Sequence, residues 1–151
     1  MRIIVQKAIN ATVTVANEIT GHIDQGYVLL IGFTPKDTLP DLEYLAHKVA
    51  NLRIYPDATG KMNDTIKTAK GAILSISQFT VYGDVSDGNR PSFTQAANKD
   101  IAEPLFECFN DILRKKYGLT VETGKFGAHM GVNFTNDGPV TLILESKKTT
   151  S

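Results

Sequence analysis

Two short segments carry residue types that could do chemistry. Ser77-Gln78-Phe79-Thr80 follows the apolar run at residues 72–76, so it stands where a buried strand leaves its sheet. Two hydroxyls and an amide at a strand end are placed where α/β proteins hold ligands. The plain alternative is a strand terminus whose hydroxyls bond locally. The second segment, Asn136-Asp137-Gly138-Pro139-Val140-Thr141, puts a proline where an Asp-Gly hairpin would run straight into its ladder. Either Pro139 takes an edge position in an ordinary turn, or Gly138-Pro139 belongs to the roughly 5–6% of X–Pro bonds that are cis in folded proteins.

Metal and nucleophile chemistry has little to build on. His22, His47 and His129 are scattered without the paired spacing of metal ligands. His47 is expected among polar positions of a helix and His129 in a strand, as surface or packed side chains. Cys108 falls on the apolar side of an expected helix and reads as a core thiol, with no cationic neighbourhood to activate it. A G-x-S-x-G elbow, a P-loop, an HExxH helix and a G-x-G-x-x-G turn after a strand are all missing. No metal or cofactor is called for.

Around these segments the pattern alternates strands and helices. Residues 1–7 and 11–15 read as strands, Asn17-Glu18 turns the chain, residues 19–23 return it, and Asp24-Gln25-Gly26 makes a second turn. Residues 27–31 have no polar face, which predicts a central strand covered on both sides. Thr38, Pro40 and Asp41 form a helix start, and Leu42, Leu45, Val49 and Leu52 follow at helical spacing. Residues 56–60 read as a turn and 72–77 as a strand, before a long loop from Tyr82 to about Asn98. A second helix from about Asp100 places Ile101, Leu105, Cys108, Phe109 and Ile112 on one face and ends at Gly118, with Pro104 weakening its first turn. Strands at 119–123, 128–135 and 140–144 close the chain, the last two joined by a turn at 136–139. The expectation is a single compact α/β domain of about seven strands and two long helices, residues 1–145, followed by a polar tail at 146–151.

Composition sets the outer limits. A chain of 151 residues makes one domain, which buries roughly 68–70% of its unfolded surface and holds a core without metal or disulfide. Sixteen Lys+Arg balance sixteen Asp+Glu. That excludes a broad basic field, so any nucleic-acid contact is local. The longest apolar run, 27–33, contains Gly32 and falls far short of the ~20 residues that span a bilayer. The apolar N-terminus is too brief for a signal peptide, so no membrane partner is expected and a reducing cytoplasm is the expected location.

With both segments present in order, the sequence resembles the bacterial and eukaryotic D-aminoacyl-tRNA deacylases. Their signatures are S-Q-F-T before the long loop and N-x-G-P-V-T near the C-terminus. Further family-like stretches are Val5-Gln6, Gly60-Lys61-Met62-Asn63, Arg90-Pro91-Ser92-Phe93 and Thr123-Gly124-Lys125-Phe126-Gly127, so the likeness runs from residue 1 to about 145. The resemblance implies that family's fold and a metal-independent hydrolase acting on the ester between a D-amino acid, or glycine, and the aminoacylated 3′ end of tRNA. It implies a homodimer in which Gly138 and Pro139 of one subunit, with a cis peptide between them, enter the active site of the other. By the same resemblance Ser77, Gln78, Phe79 and Thr80 are catalytic, positioning substrate and oxyanion, and Gly138, Pro139, Met130 and Arg90 bind substrate. Thr80 as a nucleophile ranks below Thr80 as a positioning group, because no base is visibly placed beside it. One residue departs from the pattern. Lys7 stands where the family usually has an arginine thought to brace the Gly-Pro loop, and a lysine lacks the planar fork that holds two carbonyls at once.

Two other readings compete with this one. An editing domain like that of archaeal threonyl-tRNA synthetase, which removes L-serine, is disfavoured by the length and the N-D-G-P turn. A non-catalytic nucleic-acid-binding module would need a basic patch interleaved with aromatics, against a net charge of zero and no tryptophan.

Overall fold

The computed structural model describes residues 1–146, so all of the expected tail at 146–151 except Ser146 lies outside the described residues. The elements run β1 (Arg2–Val15), β2 (Glu18–Gly32), α1 (Leu39–Asn51), β3 (Tyr55–Pro56), β4 (Met62–Asp64), β5 (Ala72–Ser77), α2 (Lys99–Lys115), β6 (Val121–Thr123) and β7 (Gly131–Glu145). A single 3-10 turn, Phe79–Tyr82, follows β5. Five strands pair in the order β6-β5-β2-β1-β7, with β2–β5 and β5–β6 parallel and the other pairs antiparallel. β3 and β4 form a small separate hairpin around the expected turn at 56–60.

Three expected turns are resolved differently. At the first, Ala16 and Asn17 take φ of 49° and 66°, the pair of left-handed residues that a tight hairpin requires. At the second the expectation was wrong: the chain runs straight through 24–26, and the short strands fuse into one long hairpin. Gly26 is glycine for another reason. Its φ is 144°, and a Cβ there would stand 1.7 Å from the carbonyl oxygen of Ala72, because the β5 backbone lies directly against it. At the third, 136–139, β7 continues past the interruption instead of reversing.

The hairpin curls, and this gives the sheet two cores. Asn10, at φ 51°, interrupts β1, and the register to β7 shifts between Ile9 and Thr12. Before the kink, Ile3, Val5, Tyr27, Leu29 and Ile31 pack under α1 and α2. Around and beyond it, Ala8, Ala11, Val13, Ile23, Val28, Leu74 and Ile76 make a second core on the opposite face. The outer hairpin folds back far enough that a Cβ on Gly21 would lie 3.0 Å from Leu74 Cδ1. β2, covered on both faces, is the central strand its apolar run predicts.

α1 follows its sequence signals. The Asp41 carboxylate accepts from the N–H of Thr38 at 2.8 Å and from its hydroxyl at 3.1 Å, and Leu42, Leu45 and Val49 are buried. α2 does not: its buried face is Ala102, Phe106, Phe109, Asn110 and Leu113, while Ile101 is exposed and Leu105, Cys108 and Ile112 are half-buried. The helix is rolled from the expected stripe because Asn110 Oδ1 accepts the buried Ser75 hydroxyl at 2.7 Å and Phe106 packs on Phe126 at 5.9 Å. A polar residue thus lies inside, which a search for apolar spacing misreads, and Cys108 packs against the core only half-buried. Gly118, φ 65°, ends the helix region as predicted.

Candidate active site

Where β5 leaves the sheet, Ser77 is paired with Ile31, and Gln78 N–H donates to the Ile31 carbonyl at 2.7 Å. The chain then winds into the 3-10 turn. Gly32 permits that winding, since a Cβ there would lie 2.3 Å from Val81 Cγ2 and 3.1 Å from the Gln78 carbonyl oxygen. From the other side Arg2 holds the turn. Its Nη1 donates to the Val81 carbonyl at 2.7 Å, its guanidinium lies 4.7 Å from the Tyr82 ring centre, and its Nε pairs with Glu145. Burial, and then the charge of Asp37, push the Tyr82 phenol up. Phe79 is 56% exposed and meets Phe93 edge-on at 5.0 Å.

Beside this turn lies a cleft of about 510 Å³. Ser77, Gln78 and Phe79 form one wall, residues 126–130 another, and Asn98 and Lys99 at the start of α2 a third. Its apolar lining comes from Ile31, Phe33, Ile76, Phe126, Met130 and Val132, and no aspartate or glutamate is among the lining residues. The structure therefore brings Ser77, Gln78, Phe79 and Met130 together. Thr80 sits just outside, exposed, with its hydroxyl oxygen accepting from Gln78 Nε2. Arg90 is exposed in the long loop and does not line the cleft. His129 is not in a strand as expected; β7 begins at Gly131, and His129 stands in the cleft wall. Among the described residues no three His, Cys, Asp or Glu side chains gather as metal ligands.

Gly138 and Pro139 are elsewhere. In the β1–β7 ladder Gln6 pairs with Thr141 and Ala8 with Asn136, so residues 137–140 stand opposite Lys7 alone and bulge out of an edge strand. Asn136 closes the bulge: its Oδ1 accepts from Val140 N–H at 2.8 Å and its Nδ2 donates to Thr141 Oγ1 at 3.0 Å. The Gly138–Pro139 peptide is cis, and both residues are exposed. Lys7 reaches the bulge through its side chain, with Nζ 3.8 Å from Asp137 Oδ2 and 4.6 Å from the Tyr55 ring centre. Burial, and then the Asp137 charge, push the Tyr55 phenol up to about 12. Lys7 thus has a carboxylate to hold. β7 enters this chain's own cleft only at its start, through Val132, and Gly138 and Pro139 further along the strand are not among the lining residues.

A family model described as D-Tyr-tRNA(Tyr) deacylase matches residues 4–145. The chain belongs to the D-aminoacyl-tRNA deacylase family. It is 53% identical over 148 residues to the D-aminoacyl-tRNA deacylase of Bacillus pumilus (strain SAFR-032), covering 98% of this chain and 100% of that one. It is 56% identical over 146 residues to that of Brevibacillus brevis (strain 47 / JCM 6285 / NBRC 100599), covering 97% and 100%. Among solved structures, "c-Myc DNA Unwinding Element Binding Protein" superimposes with a TM-score of 0.93 at 39% identity, over 98% of this chain and 100% of that one. "Structural Analysis of a probable eukaryotic D-amino acid tRNA deacylase" shares the fold, with a TM-score of 0.82 at 19% identity over 95% and 98%. As a member of the D-aminoacyl-tRNA deacylases the chain is an ester hydrolase that edits aminoacyl-tRNA.

Sequence reasoning passed over the supports of this deacylase cleft. Arg2 and Gly32 shape the turn from the far ends of other strands, and Lys99 and His129 line the cleft. The visible signal was Gly32, a glycine interrupting an otherwise apolar run.

Proposed function

We propose that the cleft hydrolyses the ester between a D-amino acid, or glycine, and the terminal adenosine of tRNA, and that Gly138 and Pro139 of one subunit close the cleft of the other in a cytoplasmic homodimer. The observation that carries the reading is the separation of the two segments: an exposed, internally stapled bulge on an edge strand is presented outward, away from its own cleft. D and L substrates differ only by exchange of hydrogen and side chain at Cα, and a pocket that merely prefers one group gains about 1–3 kcal/mol. A backbone segment standing where the L side chain would project rejects every L residue by overlap and spares glycine. The Gly138 and Pro139 carbonyls then face the substrate α-ammonium, with Met130 packing beside it.

The 3-10 turn supplies the other half. Its first N–H groups, those of Phe79 and Thr80, have no acceptor within the turn, so they are suited to a developing oxyanion. Gln78 holds the Thr80 hydroxyl, which suits Thr80 to positioning more than to attack. With no carboxylate in the lining, a water assisted by the adenosine 2′-hydroxyl is the nucleophile, and no metal takes part.

The test is hydrolysis of matched D- and L-tyrosyl-tRNA by the pure protein, with light scattering for assembly and an EDTA-treated sample alongside. The expected D/L rate ratio is at least ~10³, about 4 kcal/mol. Similar rates on both enantiomers, a monomer with full selectivity, or activity lost to EDTA and restored by one metal would each overturn the corresponding part.

A further inference from the structure

We propose that Lys99 binds the phosphodiester on the 5′ side of the terminal adenosine of tRNA, so that the cleft recognises a polynucleotide end and not merely an aminoacylated nucleoside. This rests on the tRNA-ester reading of the same cleft. Among the described residues lining it, Lys99 carries the single full charge, and its carboxylate partner, Glu103, lies outside the lining. The substrate brings two charges of opposite sign: the α-ammonium of the amino acid and the phosphodiester beyond the ribose. A lysine in the wall repels the first and attracts the second. The charge therefore gives the cleft a direction, with the ester at Ser77–Phe79 and the phosphate at the opening of α2.

The side chain is placed for this. It is 68% exposed, and its ammonium lies 3.9 Å from Glu103 Oε2 one turn along the helix. An exposed i,i+4 pair of that kind is worth only about 0.3–0.5 kcal/mol, so a flexible four-carbon stem exchanges it for a phosphate at little cost. The neighbouring Asn98 Oδ1 accepts from Ile101 N–H at 3.2 Å, which fixes that side chain and leaves its Nδ2 amide to donate to the same anion beside the ammonium. In a chain whose charges balance, one well-placed cation is the local contact that tRNA recognition requires.

The experiment compares kcat/KM on D-tyrosyl-tRNA and on 3′-O-D-tyrosyl-adenosine, which has no phosphate, for the wild type, Lys99→Met, Lys99→Arg and, as a charge control, Lys48→Met on α1. For Lys99→Met the tRNA-to-adenosine ratio is expected to fall about 5- to 10-fold, the scale of one charge-assisted contact. The loss should lie in KM and shrink at high salt. Lys99→Arg should restore the ratio, and Lys48→Met should leave it at the wild-type value. An unchanged ratio in Lys99→Met, an equal loss on both substrates, or an equal fall in Lys48→Met would overturn the proposal. If wild type hydrolyses neither substrate, the tRNA-ester reading has failed, which is a separate result from an unchanged ratio.

Discussion

The turn after β5 and the bulge in β7 are both short interruptions at strands, yet they are held in opposite ways. The turn is fixed from a distance: the Ile31 carbonyl, the missing side chain of Gly32 and the Arg2 guanidinium come from two other strands. The bulge is fixed mostly by itself, through Asn136 to Val140 and Thr141, with the β1 ladder at its two ends and the Lys7–Asp137 ion pair between them. A self-contained device can stand out from an edge and keep its shape. A catalytic turn that must meet a cleft wall is built where the sheet can brace it.

Breaking the remote brace should cost most. Gly32→Ala puts a methyl against Val81 and Tyr82. It should lower kcat at least about tenfold and stability by about 1–3 kcal/mol, as overpacking does. Denaturant melts and single-turnover rates check this, and an unchanged kcat would mean that the turn does not need its close seat on β2. Asn136→Ala breaks the local staple instead. Stability should fall by only about 1 kcal/mol, while the D/L ratio falls about tenfold or more with kcat on the D substrate nearly retained. A ratio equal to wild type would remove the bulge from selectivity.

Lys7→Arg probes the link between the regions with a smaller effect. A guanidinium keeps the Asp137 contact and adds a fork, so the D/L ratio should be preserved or sharpened by about threefold at most. A falling ratio would show that the compact ammonium over Tyr55 is what the bulge requires.

Tyr55→Phe should change least at neutral pH. The Tyr55 hydroxyl is buried with no partner among the described residues, so its removal should cost under about 1 kcal/mol. The difference appears in alkali. Tyr55 ionises near 10.0 in the unfolded chain but only near about 12 when folded, so its contribution is complete below pH 10 and is lost between the two values. The variant should therefore lose stability less steeply than wild type across that interval in pH-dependent melts.

Local signals made half of this site legible. Asn136 to Thr141 is contiguous, so its proline, its glycine and the asparagine that staples them are visible together. The Ser77–Thr80 segment was visible as a strand exit, whereas its supports were not, because Arg2 and Gly32 lie 75 and 45 residues before Ser77 in the chain. Periodicity found β2 and α1, where apolar spacing and caps agree. It misplaced the buried face of α2, where Asn110 is inside, and it divided three long strands because glycine and asparagine also mark kinks and close approaches.

The sequence by itself determined the α/β class, the central strand, the capped first helix and two segments of the kind the deacylases share. These depend on neighbours within a few residues, whose spacing is written in the chain. Tertiary structure decided that the two segments lie on different strands of one sheet, that His129 and Lys99 share a cleft wall with Ser77, and that the Gly138–Pro139 bulge faces outward. Those facts depend on which strands pair and in what register, and register is set by burial over the whole sheet and not by any one stretch of residues.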